Sequence, residues 1–280
     1  MAGQMEGRVC VVTGATAGIG QATAAALAKM GATVVLVARN ADKAGATREE
    51  IVRSAGHARV ETVIADLAIQ SEVHAAAAEI RARNPAIHVL VNNAAIYTKT
   101  RQETADGMEM QLAVNHLAPF LLTHLLMDAL RAGAPARVVT VSSEAHHRAS
   151  FSWDDIQMRR KYGALRAYCN AKLFNILFTR ELARRAAEVT ANAMHPGVVG
   201  TALLFGGWAP LRLLKPFIRT AEEGARTAIY LASSPDVAGI TGAYFKDEKP
   251  RYPSRAAQDD ESARRLWQIS AELTGLAANS

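Results

Sequence analysis

Short runs of β-branched and aliphatic residues alternate with longer amphipathic stretches along the whole chain. Residues 8–13 (RVCVVT) form a continuous apolar run that ends at a glycine, the pattern of a strand buried on both faces. An alanine-rich stretch over 19–30 predicts a helix stopped by Gly31. The same alternation predicts strands at 33–37, 59–64, 87–91, 137–141 and 190–194, with a short last strand at 242–245. Helices are predicted between them at 41–54, 71–83, 108–131, 167–187 and 221–232. Strands that alternate with helices of this length call for a parallel sheet with right-handed crossovers, covered on both faces. The expected fold is therefore α/β, a doubly wound parallel sheet. No Pro/Gly/Ser-rich linker divides the pattern, which predicts one domain over 1–280.

Half of the 280 residues are apolar, enough to bury a full core without staples. The 32 basic residues against 26 acidic ones leave a net charge of +6, and these charges are scattered. Runs such as Arg159, Arg160 and Lys161 read as solvated helix faces, so nucleic acid is not an expected partner. Cys10 and Cys169 are the only cysteines, which excludes a disulfide framework and points to a reducing, cytoplasmic compartment. Met1 to Gly7 carry no signal-peptide pattern. The apolar stretch 202–218 is interrupted by Gly206, Gly207, Pro210, Arg212, Lys215 and Pro216, so no transmembrane segment is expected. His146, His147 and His195 have no carboxylate or cysteine pattern beside them, and no metal site is expected.

The first strand runs straight into Thr13, Gly14, Ala15, Thr16, Ala17, Gly18, Ile19 and Gly20, where a helix begins. Glycines at such a turn let the backbone pass close to a pyrophosphate, while the helix start offers free N–H groups and the positive end of its dipole. The spacing is G-x-x-x-G-x-G, and its place between strand and helix points to nucleotide binding in a Rossmann-type fold. Roughly twenty residues on, an acidic side chain would grip a ribose 2′-hydroxyl. This chain has Ala38, Arg39 and Asn40 there. A guanidinium can hold a 2′-phosphate with paired hydrogen bonds where a carboxylate would repel it, so the expected cofactor is NADP(H). A surface arginine facing water is the other reading of Arg39.

Tyr168 and Lys172 stand at i and i+4, on one face of a helix. A free phenol has a pKa of about 10, too high for efficient proton transfer at neutral pH, and a nearby ammonium is expected to lower it. The motifs around this pair resemble the short-chain dehydrogenase/reductase family and, within it, the retinol-dehydrogenase-like group. Thr13 to Gly20 resemble T-G-x-x-x-G-I-G; Asn92, Asn93, Ala94 and Ala95 resemble N-N-A-G with alanine at its last position. Residues 115–123 (NHLAPFLLT) resemble N-H-L-G-x-F-L-L-T, and 141–146 (VSSEAH) resemble V-S-S-x-A-H. Residues 167–179 (AYCNAKLFNILFT) and 195–201 (HPGVVGT) match the group's motifs in the same order. The similarity runs on through residues 222–225 and 264–267, and so covers nearly the whole chain.

The resemblance implies roles. Tyr168 is the general acid in reduction and the base in oxidation; Lys172 tunes it and holds the nicotinamide ribose. Ser143 orients the substrate oxygen, and Asn115 supports a helix kink and a water in a proton relay to Lys172. On the cofactor's side it places Gly14, Thr16, Ala17, Gly18, Ile19 and Gly20 at the phosphates. Asp66 and Leu67 are placed at the adenine, and Asn92, Asn93 and Ala94 beside the adenine ribose. Pro196, Gly197, Val199 and Thr201 are placed at the phosphates or carboxamide. The 24 residues between Ser143 and Tyr168 are more than usual in the wider family and resemble the retinol-dehydrogenase-like group. Phe151, Trp153 and Tyr162 in that insertion either wall the pocket or fill core under a short helix. A lid is expected over about 201–220, with Phe205, Trp208 and Phe217, and a C-terminal extension over about 245–280. A lid implies a lipophilic small-molecule substrate; a buried connector or a membrane-touching segment are the other readings of that stretch. The resemblance also implies a possible homo-oligomer. A non-catalytic NADP-binding regulator of the same fold is the competing function, though such relatives usually lack the tyrosine or lysine. Retinoid-like members often carry an N-terminal anchor, and none is seen before Arg8, which counts against retinol itself.

Overall fold

The structure is a computed structural model that describes residues 3–199 and 219–277. Eight strands form one sheet in the order β3-β2-β1-β4-β5-β6-β7-β8. They are β1 (Val9–Thr13), β2 (Thr33–Ala38), β3 (Val60–Ile64), β4 (Val89–Asn92), β5 (Ala136–Val141), β6 (Val189–His195), β7 (Tyr244–Lys246) and β8 (Lys249–Arg251). The first seven pair in parallel. Only the β7–β8 hairpin is antiparallel, turning through Asp247 and Glu248 at positive φ. The doubly wound α/β prediction holds, and the near-continuous apolar strands owe their composition to burial on both faces.

One face is covered by α1 (Gly18–Lys29), α2 (Ala41–Ala55) and α8 (Ala221–Ser233), the other by α3 (Gln70–Arg83), α5 (Ala118–Leu125) and α7 (Ala164–Arg185). Side chains of successive strand residues point to opposite faces. Cys10, Val12, Val34 and Leu36 accordingly enter one core, and Val11, Val35 and Val37 the other. Burial pushes the Cys10 thiol up to about 12, so it is an inert core residue, as expected.

Two helical features depart from the sequence reading. The single helix expected over 108–131 is broken into α4 (Met110–Leu112), a π stretch (Ala113–Leu117), α5, and α6 (Met127–Ala132). Pro119 has no N–H to give to the carbonyl of Asn115, which favours the wider turn there. The extension after residue 245 contains a further helix, α9 (Asp260–Leu273), capped by Asp259, whose carboxylate accepts from the N–H groups of Glu261 and Ser262. Its buried residues, Ala263, Leu266, Trp267, Ser270 and Ala271, form one stripe at helical spacing.

That stripe lies across α5 and α7. Trp267 stacks on Phe178 with ring centroids 6.0 Å apart and meets Phe120 edge-on at 5.1 Å. The Arg185 guanidinium lies 4.7 Å from the indole. Phe120 is fully buried at the centre of this cluster. Phe120→Ala is expected to destabilise the chain by about 3–5 kcal/mol through lost burial and a cavity. Urea unfolding followed by circular dichroism checks this, and a change below about 1 kcal/mol would mean that the cluster is not tightly packed.

Candidate active site

Open α/β sheets bind ligands outside the carboxyl ends of their strands, where the strand order reverses. A cleft of about 1200 Å³ opens there, with its floor at the ends of β1, β2, β4, β5 and β6.

The glycine turn forms one wall. Gly14 and Gly18 have φ of +64° and +55°, which glycine adopts without strain. Gly14 is also crowded, since a Cβ there would lie 2.8 Å from Ala94 Cα. No side chain caps α1, so its first N–H groups are left to a ligand beside Thr16, Ala17, Gly18 and Ile19, all of which line the cleft. Gly20 sits behind the turn, where a Cβ would meet Gly14 O at 2.3 Å. Its part is to let the turn close. Thr13 and Asn93 sew that turn to the end of β4. Thr13 Oγ1 accepts from the N–H groups of Asn93 and Ala94, both at 3.0 Å, and Asn93 Nδ2 donates to Thr13 O at 2.8 Å. This set of donors and close backbone fits a pyrophosphate.

Further along, Arg39 is largely exposed, and its Nη1 lies 3.7 Å from Asp66 Oδ2. Asp66 and Leu67 line the same end, and Asp66 Oδ1 accepts from Ala68 N at 2.9 Å. Two expected cofactor residues are placed elsewhere. Asn92 is buried beneath the cleft and donates from Nδ2 to Thr123 Oγ1 at 3.1 Å, because strand alternation turns it away from the side Asn93 faces. Asn40 caps α2 by accepting from Lys43 N at 2.8 Å. Pro196, Gly197 and Val199 line the cleft after β6, and Thr201 lies outside the described residues.

The opposite wall carries Ser143, Tyr168 and Lys172. Helix α7 is docked across the end of β5 by three hydrogen bonds. Ser142 Oγ donates to Lys172 O at 2.7 Å, Lys172 Nζ donates to Val141 O at 3.0 Å, and Asn175 Nδ2 donates to the same oxygen at 3.1 Å. Tyr168 is thereby brought beside Ser143 at the cleft, close enough for the serine hydroxyl to act on the phenol. The Lys172 ammonium lies 5.6 Å from the phenol ring centroid. Burial holds that ammonium down at about 8. The phenol, expected to be acidified by the lysine, is instead pushed up to about 12 by burial, with the nearby Ser143 hydroxyl pulling the other way. In the protein alone, loss of water around the phenol outweighs an ammonium that is itself engaged with a carbonyl.

Asn115 lies in the π stretch, as a helix irregularity there predicts, and is fully buried. Its side chain is taken up by Ile96, with Nδ2 donating to Ile96 O at 3.0 Å and Oδ1 accepting from Ile96 N at 2.8 Å. Its side chain fixes the strand-end segment that leads to Tyr97, while its backbone carbonyl is the one that Pro119 cannot meet.

A carboxylate does stand beside the histidines, which the sequence reading did not foresee. Glu144, His146 and His147 bring ligand atoms within 4.8 Å of one another. Glu144 and His146 are already engaged, however. Glu144 accepts from Tyr244 OH at 2.8 Å and pairs with Lys246 Nζ at 3.1 Å, while His146 Nε2 accepts from Ser254 N at 3.0 Å and His146 Nδ1 lies 2.6 Å from Ser143 O. His195 is held down at about 4 by burial, and its Nδ1 accepts from Glu144 N at 3.3 Å. These groups brace the Ser143 turn.

Comparison with known proteins agrees with this geometry. The family model for short chain dehydrogenases matches residues 8–206. Retinol dehydrogenase 12 from Homo sapiens is 41% identical over 98% of this chain and 88% of its own. The chain belongs to the short-chain dehydrogenase family. Within that family it is retinol-dehydrogenase-like, an oxidoreductase of the kind that interconverts alcohols and carbonyls with a nicotinamide cofactor. Among solved structures, an uncharacterised protein from Mycobacterium paratuberculosis is similar with a TM-score of 0.79 at 33% identity, over 97% of this chain and 94% of that one. A 3-ketoacyl-(acyl-carrier-protein) reductase from Brucella melitensis, complexed with NADH, is similar with a TM-score of 0.68 at 26% identity, over 86% and 96%.

Of the three aromatics in this family member's long insertion, Phe151 and Trp153 are packed on core residues of α7, with Phe151 edge-on to Phe174 at 4.9 Å. Tyr162 braces Gln111 and Thr98 through its hydroxyl, at 2.8 and 2.9 Å. None of the three lines the cleft formed by the described residues, and Phe151 and Trp153 pack as the core reading expects. Tyr97 lines the cleft among the described residues, edge-on to Tyr168 with centroids 6.1 Å apart. It sits just beyond a strand's carboxyl end, a position that marks it in sequence once β4 is drawn. The same rule marks Lys246 at the end of β7. Gly20→Ala is expected to force the glycine turn open and weaken binding of NADPH and NADH alike by more than about tenfold. Fluorescence titration of the reduced nucleotides measures this, and unchanged affinities would show that the turn can spread at no cost.

Proposed function

We propose that this chain is an NADP(H)-dependent enzyme that interconverts an alcohol and a carbonyl on a lipophilic small molecule, with Tyr168 as general acid and base. The observation that carries the reading is one side of the cleft. A phenol and a serine hydroxyl line the cleft there, one helical turn from a buried ammonium and opposite a cradle for a pyrophosphate.

Gly14, Thr16, Ala17, Gly18 and Ile19 would hold the pyrophosphate, Asp66 and Leu67 the adenine, and Lys172 and Pro196 to Val199 the nicotinamide half. When bound, the nicotinamide supplies or accepts the hydride. The chain's own residues handle the proton and the position of the substrate. Ser143 Oγ hydrogen-bonds the substrate oxygen and sets its direction. Tyr168 gives its proton to that oxygen in reduction and recovers it in oxidation. A phenol near 12 stays protonated at neutral pH and is a weak acid, so donation depends on the positive charge beside it. Lys172 stabilises the phenolate that donation leaves, and its charge is lost as pH rises through about 8. Tyr97, Met110, Val114 and Leu165 give the cleft an apolar wall that favours a lipophilic substrate. Arg39 supports a preference for the 2′-phosphate, and its exposure leaves it free to swing from Asp66 to a ligand.

The proposal extends to one catalytic unit with a cover over about 201–220, of which only Arg219 and Thr220 fall among the described residues. No helix among the described residues is long and apolar enough to cross a membrane. Two free, buried cysteines support a reducing, cytoplasmic setting. A homo-oligomer remains part of the proposal, and it would have to use a face other than the one α9 covers.

Tyr168→Phe should reduce NADPH-dependent turnover of any accepted aldehyde or ketone at least about a hundredfold while leaving NADPH affinity within about twofold. Steady-state absorbance assays and a binding titration separate the two effects, and retained turnover removes Tyr168 from the proton's path. Arg39→Asp should move the kcat/KM ratio of NADPH to NADH toward NADH by about tenfold or more. A ratio unmoved by the substitution means that Arg39 does not read the phosphate.

A further inference from the structure

Four basic side chains line the cleft, and three of them have partners within the chain. Arg39 lies 3.7 Å from Asp66, Lys246 pairs with Glu144 at 3.1 Å, and Lys172 donates to Val141 O at 3.0 Å. Arg148 differs. Among the described residues its guanidinium makes no ion pair and no hydrogen bond. Residues 200–218 contain Arg212 and Lys215 but no aspartate or glutamate, so that stretch brings no carboxylate to it.

Its position is set by the catalytic wall. Arg148 ends the 3-10 turn (Glu144–Arg148) that Ser143 caps by accepting from Ala145 N at 3.2 Å. Burial pushes the Cys169 thiol up, and the Arg148 guanidinium pulls against it. Cys169 follows Tyr168 directly, so the guanidinium stands within electrostatic reach of the residue next to the phenol. Ala145, Tyr97 and Leu165 are apolar or aromatic residues lining the same cleft. A guanidinium is weakly hydrated and offers a planar fork that matches a carboxylate with two hydrogen bonds. Arg148 is exposed at the cleft's edge, so its fork is accessible to an incoming carboxylate.

We infer that Arg148 binds an anionic group of the substrate, a carboxylate carried on an apolar body that also bears the reacting carbonyl or alcohol. This rests on the reaction assigned to Tyr168 and Ser143 and narrows its substrate class from lipophilic molecules to amphipathic acids. The acid end is bound by the arginine, the apolar body lies along Tyr97 and Leu165, and the reacting oxygen reaches Ser143. Arg148 is thus a specificity residue outside the proton's path, and its loss acts on KM rather than kcat.

The test compares wild type, Arg148→Gln and Arg148→Lys on two aldehydes with NADPH: para-formylbenzoate and its neutral counterpart para-methylbenzaldehyde. Arg148→Gln should raise KM for para-formylbenzoate about tenfold at similar kcat and leave para-methylbenzaldehyde within about twofold, while Arg148→Lys retains part of the preference. A second arm measures binding of the unreactive para-methylbenzoate to the NADP-loaded protein by calorimetry, where Arg148→Gln should weaken affinity by a similar factor. Equal changes for both aldehydes, or none, overturn the assignment, as does a benzoate affinity that the substitution leaves alone. If neither aldehyde is turned over while benzoate affinity still falls in Arg148→Gln, the arginine stands and the reaction assigned to Tyr168 falls. If both aldehydes are reduced and the variant discriminates nothing, the arginine falls alone.

Discussion

The carbonyl of Val141 accepts two hydrogen bonds at once, from Lys172 Nζ and from Asn175 Nδ2, while Ser142 Oγ closes a third bond onto the backbone of α7. An ammonium taken out of water is costly unless its hydrogen bonds are replaced, and here the end of a strand replaces one. The same bonds fix where α7 crosses β5. Because Ser143 continues directly from β5 and Tyr168 lies one turn before Lys172, the docking sets the distance between the two hydroxyls. Burying the lysine and aligning the catalytic pair are one structural event.

Two consequences of dehydration run through this wall. Phenol and ammonium both lose water, which raises the one and lowers the other, so each is driven toward its neutral form. In the protein alone the phenol is protonated and its partner loses charge as pH rises through about 8, so the ammonium that stabilises a phenolate is present below that pH and lost above it. Glu144, Tyr244, Lys246 and His195 hold the Ser143 turn from the other side, so the serine is fixed between β7 and α7.

Much of this was legible in the sequence, and the exceptions have physical reasons. Continuous apolar strands and the glycine turn announce the sheet and its cradle because burial on both faces and close backbone approach restrict composition directly. Tyr168, Lys172 and Ser143 were legible through motif order. Asn92 and Asn93 were not separable, since neighbouring residues of a strand look alike until alternation decides which faces the cleft. Asn115 was found, but its partner is a backbone amide 19 positions away that no local pattern reveals. The helix break at 113–117 could have been read from Pro119, and α9 from its stripe of Ala263, Leu266, Trp267, Ser270 and Ala271 behind Asp259. The raised phenol could not, because it depends on how much protein surrounds one oxygen.

The hairpin at the end of the sheet has an effect on the molecule's neighbours. Its outer strand, β8, consists of Lys249, Pro250 and Arg251, all exposed. Proline offers no N–H, and the residues on either side repel any similarly charged strand that approaches. An open row of backbone donors and acceptors is normally a template on which a second chain can add a strand, and here it is interrupted at its centre and defended at both ends. Lateral growth of the sheet past this border is blocked by three residues.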